Sequence, residues 1–281
     1  MLTALLIMLR EGFEAALVVA IVYAYIRRID RPELAVPMWQ GVAAAAALSV
    51  GVGIVVHLTV ESLEGNARLL AFAAVSMLAV VVLTWMIFWM RSQAHRIRGE
   101  LQGSVDQAIA AGGDVRLAVM TVAFLAVARE GLEAALFLIA AATTEDGWAV
   151  LVGGLLGLAG ASVLGFLVVL GGRRLPMRQF FTVTGLVLIV FAAGLVSRTI
   201  LWLQATGDLG TVWNNVYDLT AYPWLTVNTE TGKFLAAMFG WDPRPSIEQI
   251  VGYLLYLGTV SWLFLRAPKA ARERQKVARA A

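Results

Sequence analysis

Cysteine is absent from this 281-residue chain, and histidine occurs only twice. The first absence removes disulfide frameworks and thiolate metal ligation, and it leaves the redox compartment unmarked. Charge is scarce too: 15% of residues are Asp, Glu, Lys or Arg, against 60% hydrophobic, with a mean hydropathy of +0.78. That composition excludes an ordinary soluble domain and indicates an all-α polytopic membrane protein. The net charge of +3 carries no nucleic-acid signature, because the basic residues collect in short connections and in the tail, where they act as topology signals. No cleavable leader is expected either. Met1 to Met8 is apolar but lacks a basic start and runs straight into Arg10-Glu11.

The few charges present are concentrated in an unusual place. Arg10-Glu11-Gly12-Phe13-Glu14-Ala15-Ala16-Leu17 and Arg129-Glu130-Gly131-Leu132-Glu133-Ala134-Ala135-Leu136 agree at seven of eight positions, and each lies inside a long apolar run. An ionised side chain at mid-bilayer costs about 2.5–3.5 kcal/mol, so the six charged groups represent roughly 15–20 kcal/mol before pairing. On helices, Glu11 and Glu14 share a face, as do Glu130 and Glu133, and each Arg lies four residues before the second Glu of its pair. A structural salt bridge would balance its charges. Four Glu against two Arg leave a surplus of two negative charges, so either some Glu are protonated or a cation completes the site.

Seven apolar stretches, near 4–26, 36–58, 66–90, 117–142, 148–170, 180–203 and 248–266, are long enough to cross a core that needs about 20 helical residues. Arg27, Arg28 and Arg31 follow the first, Arg91, Arg96, Arg98 and Arg116 the third, and Arg173, Arg174 and Arg178 the fifth; a basic tail follows the seventh. The other connections are poor in Lys and Arg, which predicts an N-terminus outside and a C-terminus inside.

The motifs recur 119 residues apart, in the first and fourth spans. Three spans therefore form one repeat, and because three is odd the second copy is inverted, bringing both carboxylate pairs to the midplane. The expected organisation is repeat one over 1–98, a cytoplasmic linker over 99–116, repeat two over 117–203, an extracytoplasmic segment over 204–247, and a seventh helix with a basic cytoplasmic tail over 248–281. The seventh span stands outside the repeat as an adaptor or an oligomer contact.

Spans two and five are rich in small residues, including Gly41, Gly51, Gly53, Gly153, Gly154, Gly157 and Gly160, and read as close helix-packing faces. Gly12 and Gly131 read the same way, although a missing side chain there also leaves room for an ion. Glu61-Ser62-Leu63-Glu64 forms a further Glu-x-x-Glu at the outer boundary, either a metal-recruiting mouth or a favourable pair at a helix start. His57 beside it and His95 in a cytoplasmic connection read as ordinary polar residues. Trp85, Trp89, Trp148, Trp202 and Trp262 lie toward span ends and read as interfacial anchors. The aromatic-rich 204–247 segment suggests helices lying on the membrane surface, and Ser246 with Gln249 forms a capping box for the last span.

The candidate ligands are thus Glu11, Glu14, Glu61, Glu64, Glu130 and Glu133, with Arg10 and Arg129 as supporting charges. An all-oxygen set suits ferric iron, manganese, magnesium or calcium rather than zinc or cuprous copper. A membrane di-iron carboxylate enzyme is the competing class, but its helix bundles usually add Glu-x-x-His, and neither central motif has a His.

The duplicated Arg-Glu-Gly-x-Glu at 10–14 and 129–133, the Glu61-x-x-Glu64 pair and the seven-span layout together resemble the oxidase-dependent iron transporter family. It includes the fungal high-affinity iron permeases and, closer to this chain, the bacterial permease of the Efe-type ferrous iron uptake system. The resemblance covers essentially the whole chain. It implies a non-enzymatic permease of the cytoplasmic (inner) membrane that imports iron, with Glu11, Glu14, Glu130 and Glu133 as central ligands and Glu61 and Glu64 as outer ones. It also implies an external oxidant of iron as a partner, in Efe-type systems a haem peroxidase beside an extracytoplasmic metal-binding protein. No intrinsic cofactor is expected. Transport of another hard cation such as manganese is the alternative.

Overall fold

The computed structural model describes residues 1–93, 114–143, 145–169 and 177–266. His95, most of the expected 99–116 linker, Arg173 and Arg174, and the basic tail beyond Arg266 lie outside the described residues.

Each of the seven apolar stretches lies in an α-helix, and no strand occurs among the described residues. The long helices are α1 (Leu2–Arg28), α2 (Ala35–Glu61), α3 (Gly65–Gln93), α4 (Val115–Ala142), α5 (Gly147–Val169), α6 (Met177–Thr206) and, after the short α7 (Glu230–Phe239), α8 (Ile247–Leu265). Five of them, α2, α3, α5, α6 and α8, are long and apolar enough to cross a membrane by length and composition. The other two, α1 and α4, have 27 and 28 residues, about 40 Å each, and each carries three charged motif residues in its interior. Leucine, valine and aromatic side chains such as Val55, Leu58, Leu155 and Phe166 project outward from α2 and α5, each about 60% exposed. Apolar surface of that extent suits hydrocarbon rather than water, as in a multi-pass membrane protein.

The helices pair in a crossed pattern: α1 packs on α5, α2 on α4, α3 on α6, and α1 also on α4. Small residues make the closest approaches. A Cβ on Gly41 of α2 would collide with the Met120 carbonyl of α4, and one on Gly153 of α5 with the Met1 carbonyl. Likewise a Cβ on Gly12 of α1 would come within 2.9 Å of the Ala161 Cβ in α5, and one on Gly131 of α4 within 2.9 Å of the Ser49 Cβ in α2. The two motif glycines are therefore helix-contact positions.

α1 and α4 run antiparallel. Val22, Tyr25 and Ile26 at the end of α1 share a buried cluster with Val119 and Ala123 at the start of α4, while the Met1 amine at the other end pairs with Glu145, just beyond α4. A larger core joins α3 and α6 through Leu83, Met86, Ile189 and Phe191, reaching α1 at Ile7 and α4 at Phe137. α8 lies against α6, and its Tyr256 hydroxyl meets Thr84 Oγ1 of α3 at 2.6 Å. The expected capping box at the start of α8 is present: Ser246 Oγ accepts from the Gln249 amide at 3.3 Å, and Gln249 Oε1 from the Ser246 amide at 2.8 Å.

The 204–247 segment contains one α-helix, α7, among its described residues. α7 is capped by the Thr229 side chain and ends at Gly240, in a left-handed conformation with φ 63°. Gly240 is seated directly against Gly194 of α6, about 18 Å along the axis from the helix end at Thr206. The Arg198 guanidinium donates to the Trp241 carbonyl at 3.2 Å and the Trp241 indole to the Leu225 carbonyl at 3.0 Å. The segment folds back along α6 because two facing glycines let backbone touch backbone there, a contact that hydropathy does not encode.

Candidate metal centre

Helical spacing gives each motif the same local arrangement, and antiparallel packing of α1 on α4 brings the two arrangements together. Carboxylate oxygens of Glu11, Glu14 and Glu130 lie within 4.8 Å of one another, a group able to hold a metal ion. Opposite ligands of a small divalent cation stand about 4.2 Å apart, a separation of the same order. Glu133 is close enough to Glu11, Glu14 and Glu130 for their charges to interact. Three of the four expected central ligands thus form one metal-sized group, and Glu133 lies beside it rather than in it. Glu11, Glu130 and Glu133 are 1%, 8% and 9% exposed, and the Glu14 side chain is 13% exposed.

The arginines bind their own motifs. Arg10 Nη1 donates to Glu11 Oε1 at 2.7 Å, and Arg10 Nη2 is 3.1 Å from Glu14 Oε1, an ion pair whose angles do not make a hydrogen bond. Arg129 Nε donates to Glu133 Oε1 at 3.1 Å and lies 4.0 Å from Glu130 Oε1. Even so, Glu11 Oε2, Glu14 Oε1, Glu130 Oε2 and Glu133 Oε2 are buried without a hydrogen-bond partner. Buried carboxylate oxygens left in that condition are costly and present a ready set of hard donors for a cation.

Sequence reasoning missed three neighbours of this cluster. Met86 of α3, fully buried, places Sδ 3.5 Å from Arg10 Nη1. Trp85 and Trp89, expected as interfacial anchors, stack on each other at 5.8 Å and lie under the Arg129 guanidinium, whose central carbon is 5.4 and 3.9 Å from their ring centroids. Their i, i+4 spacing on α3 was legible; which charge they face was not. Trp202, read the same way, is instead 8% exposed and packs against Phe72 at 5.5 Å. Trp148 and Trp262 remain exposed.

Glu61 and Glu64 are not in the buried group. Both are exposed, at the end of α2 and in the turn before α3, and Glu61 Oε1 lies 3.4 Å from His57 Nε2 one helical turn earlier.

Residues 1–275 match the family described as the iron permease FTR1 family. The chain is 37% identical to the ferrous iron permease EfeU of Escherichia coli O157:H7 and to that of Escherichia coli O6:K15:H31, over 94% of this chain and 95% of theirs. It is 34% identical to the ferrous iron permease EfeU of Yersinia pestis, over 94% of this chain and 93% of that one. No solved structure matches. Likeness that runs nearly end to end at more than a third identity is family membership, and this chain belongs to the iron permease FTR1 family.

Proposed function

We propose that this chain imports iron across the cytoplasmic (inner) membrane, with Glu11, Glu14, Glu130 and Glu133 binding the ion at the midplane. The observation that carries the reading is the approach of Glu11, Glu14 and Glu130 from two antiparallel helices within metal-holding distance, with Glu133 beside them, each of the four keeping one buried oxygen without a hydrogen-bond partner. Opposed by two arginines, the four carboxylates hold two net negative charges when ionised. One ferrous ion neutralises that surplus with both arginines in place, whereas a ferric ion leaves a buried positive charge, which is costly in a low-dielectric site. The relatives named ferrous iron permeases agree with entry as Fe(II). Manganese(II) has the same charge and is the control ion.

In this reading α1 and α4 also span the bilayer, making seven spans. Their charges are offset by pairing within each motif, which lowers the insertion cost that free charges would carry. The inverted repeat, helices one to three against four to six, is supported by matched contacts. Met1 and Gly12 correspond to Met120 and Gly131 at an offset of 119, and Gly41 and Ser49 to Gly153 and Ala161 at an offset of 112. The Met1–Gly153 and Gly12–Ala161 contacts therefore repeat as Met120–Gly41 and Gly131–Ser49. The distribution of Lys and Arg supports an outer N-terminus and inner C-terminus.

Glu61 and Glu64 gather the ion at the outer face, as their exposure allows. Arg10 and Arg129 limit repulsion among the carboxylates between transport events. The chain is a carrier rather than an enzyme, in keeping with relatives named permeases. Its proposed partners are an extracytoplasmic metal-binding protein and a haem peroxidase or other iron oxidant.

Radioactive iron uptake into sealed proteoliposomes, with Fe(II) and Fe(III) offered separately and manganese as control, tests the proposal. Iron-selective uptake that Glu133→Gln abolishes is the expected result. Unchanged uptake by a folded Glu133→Gln protein would return the motifs to a structural salt-bridge role. Uptake of Fe(III) alone would overturn the charge-balance argument and favour tight coupling to the external oxidant.

A further inference from the structure

The two arginines occupy equivalent places in the motifs but different surroundings. The Arg10 side chain is 2% exposed, with Nη1 held between Glu11 Oε1 and the Met86 thioether, a weak acceptor. The Arg129 side chain is 33% exposed and is held at once by Glu133 Oε1 and by the face of Trp89, 3.9 Å away and backed by Trp85. Because α1 and α4 are antiparallel, Arg10 and Arg129 flank the carboxylate cluster from opposite ends. A cation that draws Glu130 and Glu133 into one shell neutralises the carboxylate that Arg129 binds through Glu133 Oε1, and the guanidinium, its pairing weakened in a low-dielectric site, then depends on its other contact. An indole face attracts a guanidinium by its quadrupole, by about 0.5–1 kcal/mol where exposed and about 2 kcal/mol where desolvated.

We propose that Trp89, backed by Trp85, is a positioning residue of the transport site: it keeps hold of the Arg129 guanidinium when iron binds Glu130 and Glu133, so that Arg129 does not compete with iron for Glu133. This rests on the iron-permease reading above. Weakening the Trp89 face shifts Arg129 toward the carboxylates, where it competes with iron, so the apparent KM for iron rises while the maximal rate changes little.

The test compares Trp89→Phe with Trp89→4-cyanophenylalanine, two rings of similar shape whose faces differ in electron density, and with Trp89→Leu, in the proteoliposome assay using Fe(II). The expected order of KM is unmodified protein, Phe, 4-cyanophenylalanine and Leu. The last two should be raised about 3- to 30-fold, the span set by the cation–π energies above. Equal KM for the phenylalanine and cyanophenylalanine proteins would overturn the proposal even if Trp89→Leu fails to fold, since packing alone would then explain the site. A fall in maximal rate with unchanged KM would also overturn it. Absence of Fe(II) uptake by the unmodified protein overturns both this inference and the permease reading, whereas normal uptake with a flat Trp89 series overturns this inference alone.

Discussion

Arg10 and Glu14, one helical turn apart on α1, face each other at 3.1 Å with side chains 2% and 13% exposed. The equivalent pair on α4, Arg129 and Glu133, keeps the same 3.1 Å separation with the arginine 33% exposed. Identical local sequence thus produces the same pair in two environments, and the environments set what each pair contributes.

Arg10→Ala should be the more damaging of the two arginine truncations. Removing one partner of a buried ion pair leaves uncompensated charge and costs about 3–5 kcal/mol, and the Arg10 side chain, 2% exposed, is far more buried than that of Arg129. Thermal unfolding of iron-free protein in detergent should show a larger drop for Arg10→Ala than for Arg129→Ala, and anaerobic Fe(II) should restore part of it. Equal drops would contradict the burial difference.

Glycine substitutions separate helix contact from open surface. Gly41→Ala and Gly153→Ala drive a methyl into the backbone carbonyls of Met120 and Met1, and Gly12→Ala meets the Ala161 Cβ; such overpacking costs about 1–3 kcal/mol. Gly51→Ala meets nothing within 4 Å and should be neutral or stabilising, since alanine favours helix. Detergent unfolding temperatures decide the order, and adding Ala161→Gly should relieve Gly12→Ala.

The fold-back of the 204–247 segment hinges on Gly240. Its positive φ and its backbone contact with Gly194 make Gly240→Val both strained and overpacked, for a loss of more than about 1 kcal/mol. Limited proteolysis of the detergent-solubilised protein should cut the 204–247 segment faster in Gly240→Val than in the unmodified protein. An unchanged cleavage rate would mean that the segment does not depend on this contact.

Hydropathy and local spacing determined a large part of this protein on their own. Helix positions follow from uninterrupted apolar runs, and every expected stretch is helical to within a few residues. The carboxylate pairs and their counter-charges follow from i, i+3 and i, i+4 geometry within one helix, so both half-sites were legible before any packing was known. The capping box at Ser246 and Gln249 is equally local.

Tertiary structure decided what depends on residues far apart in the chain. The approach of Glu11 and Glu14 to Glu130 requires α1 to lie antiparallel on α4, an arrangement flanked by close small-residue contacts of α1 on α5 and of α4 on α2. The role of Trp85 and Trp89 depends on α3 presenting their faces to Arg129, and the difference between Arg10 and Arg129 depends on which neighbours exclude water. The path of the 204–247 segment depends on Gly194 and Gly240 meeting. In each case the energy belongs to a contact between elements. A pattern that repeats along one helix records which face is apolar or charged, but not which surface comes to cover it.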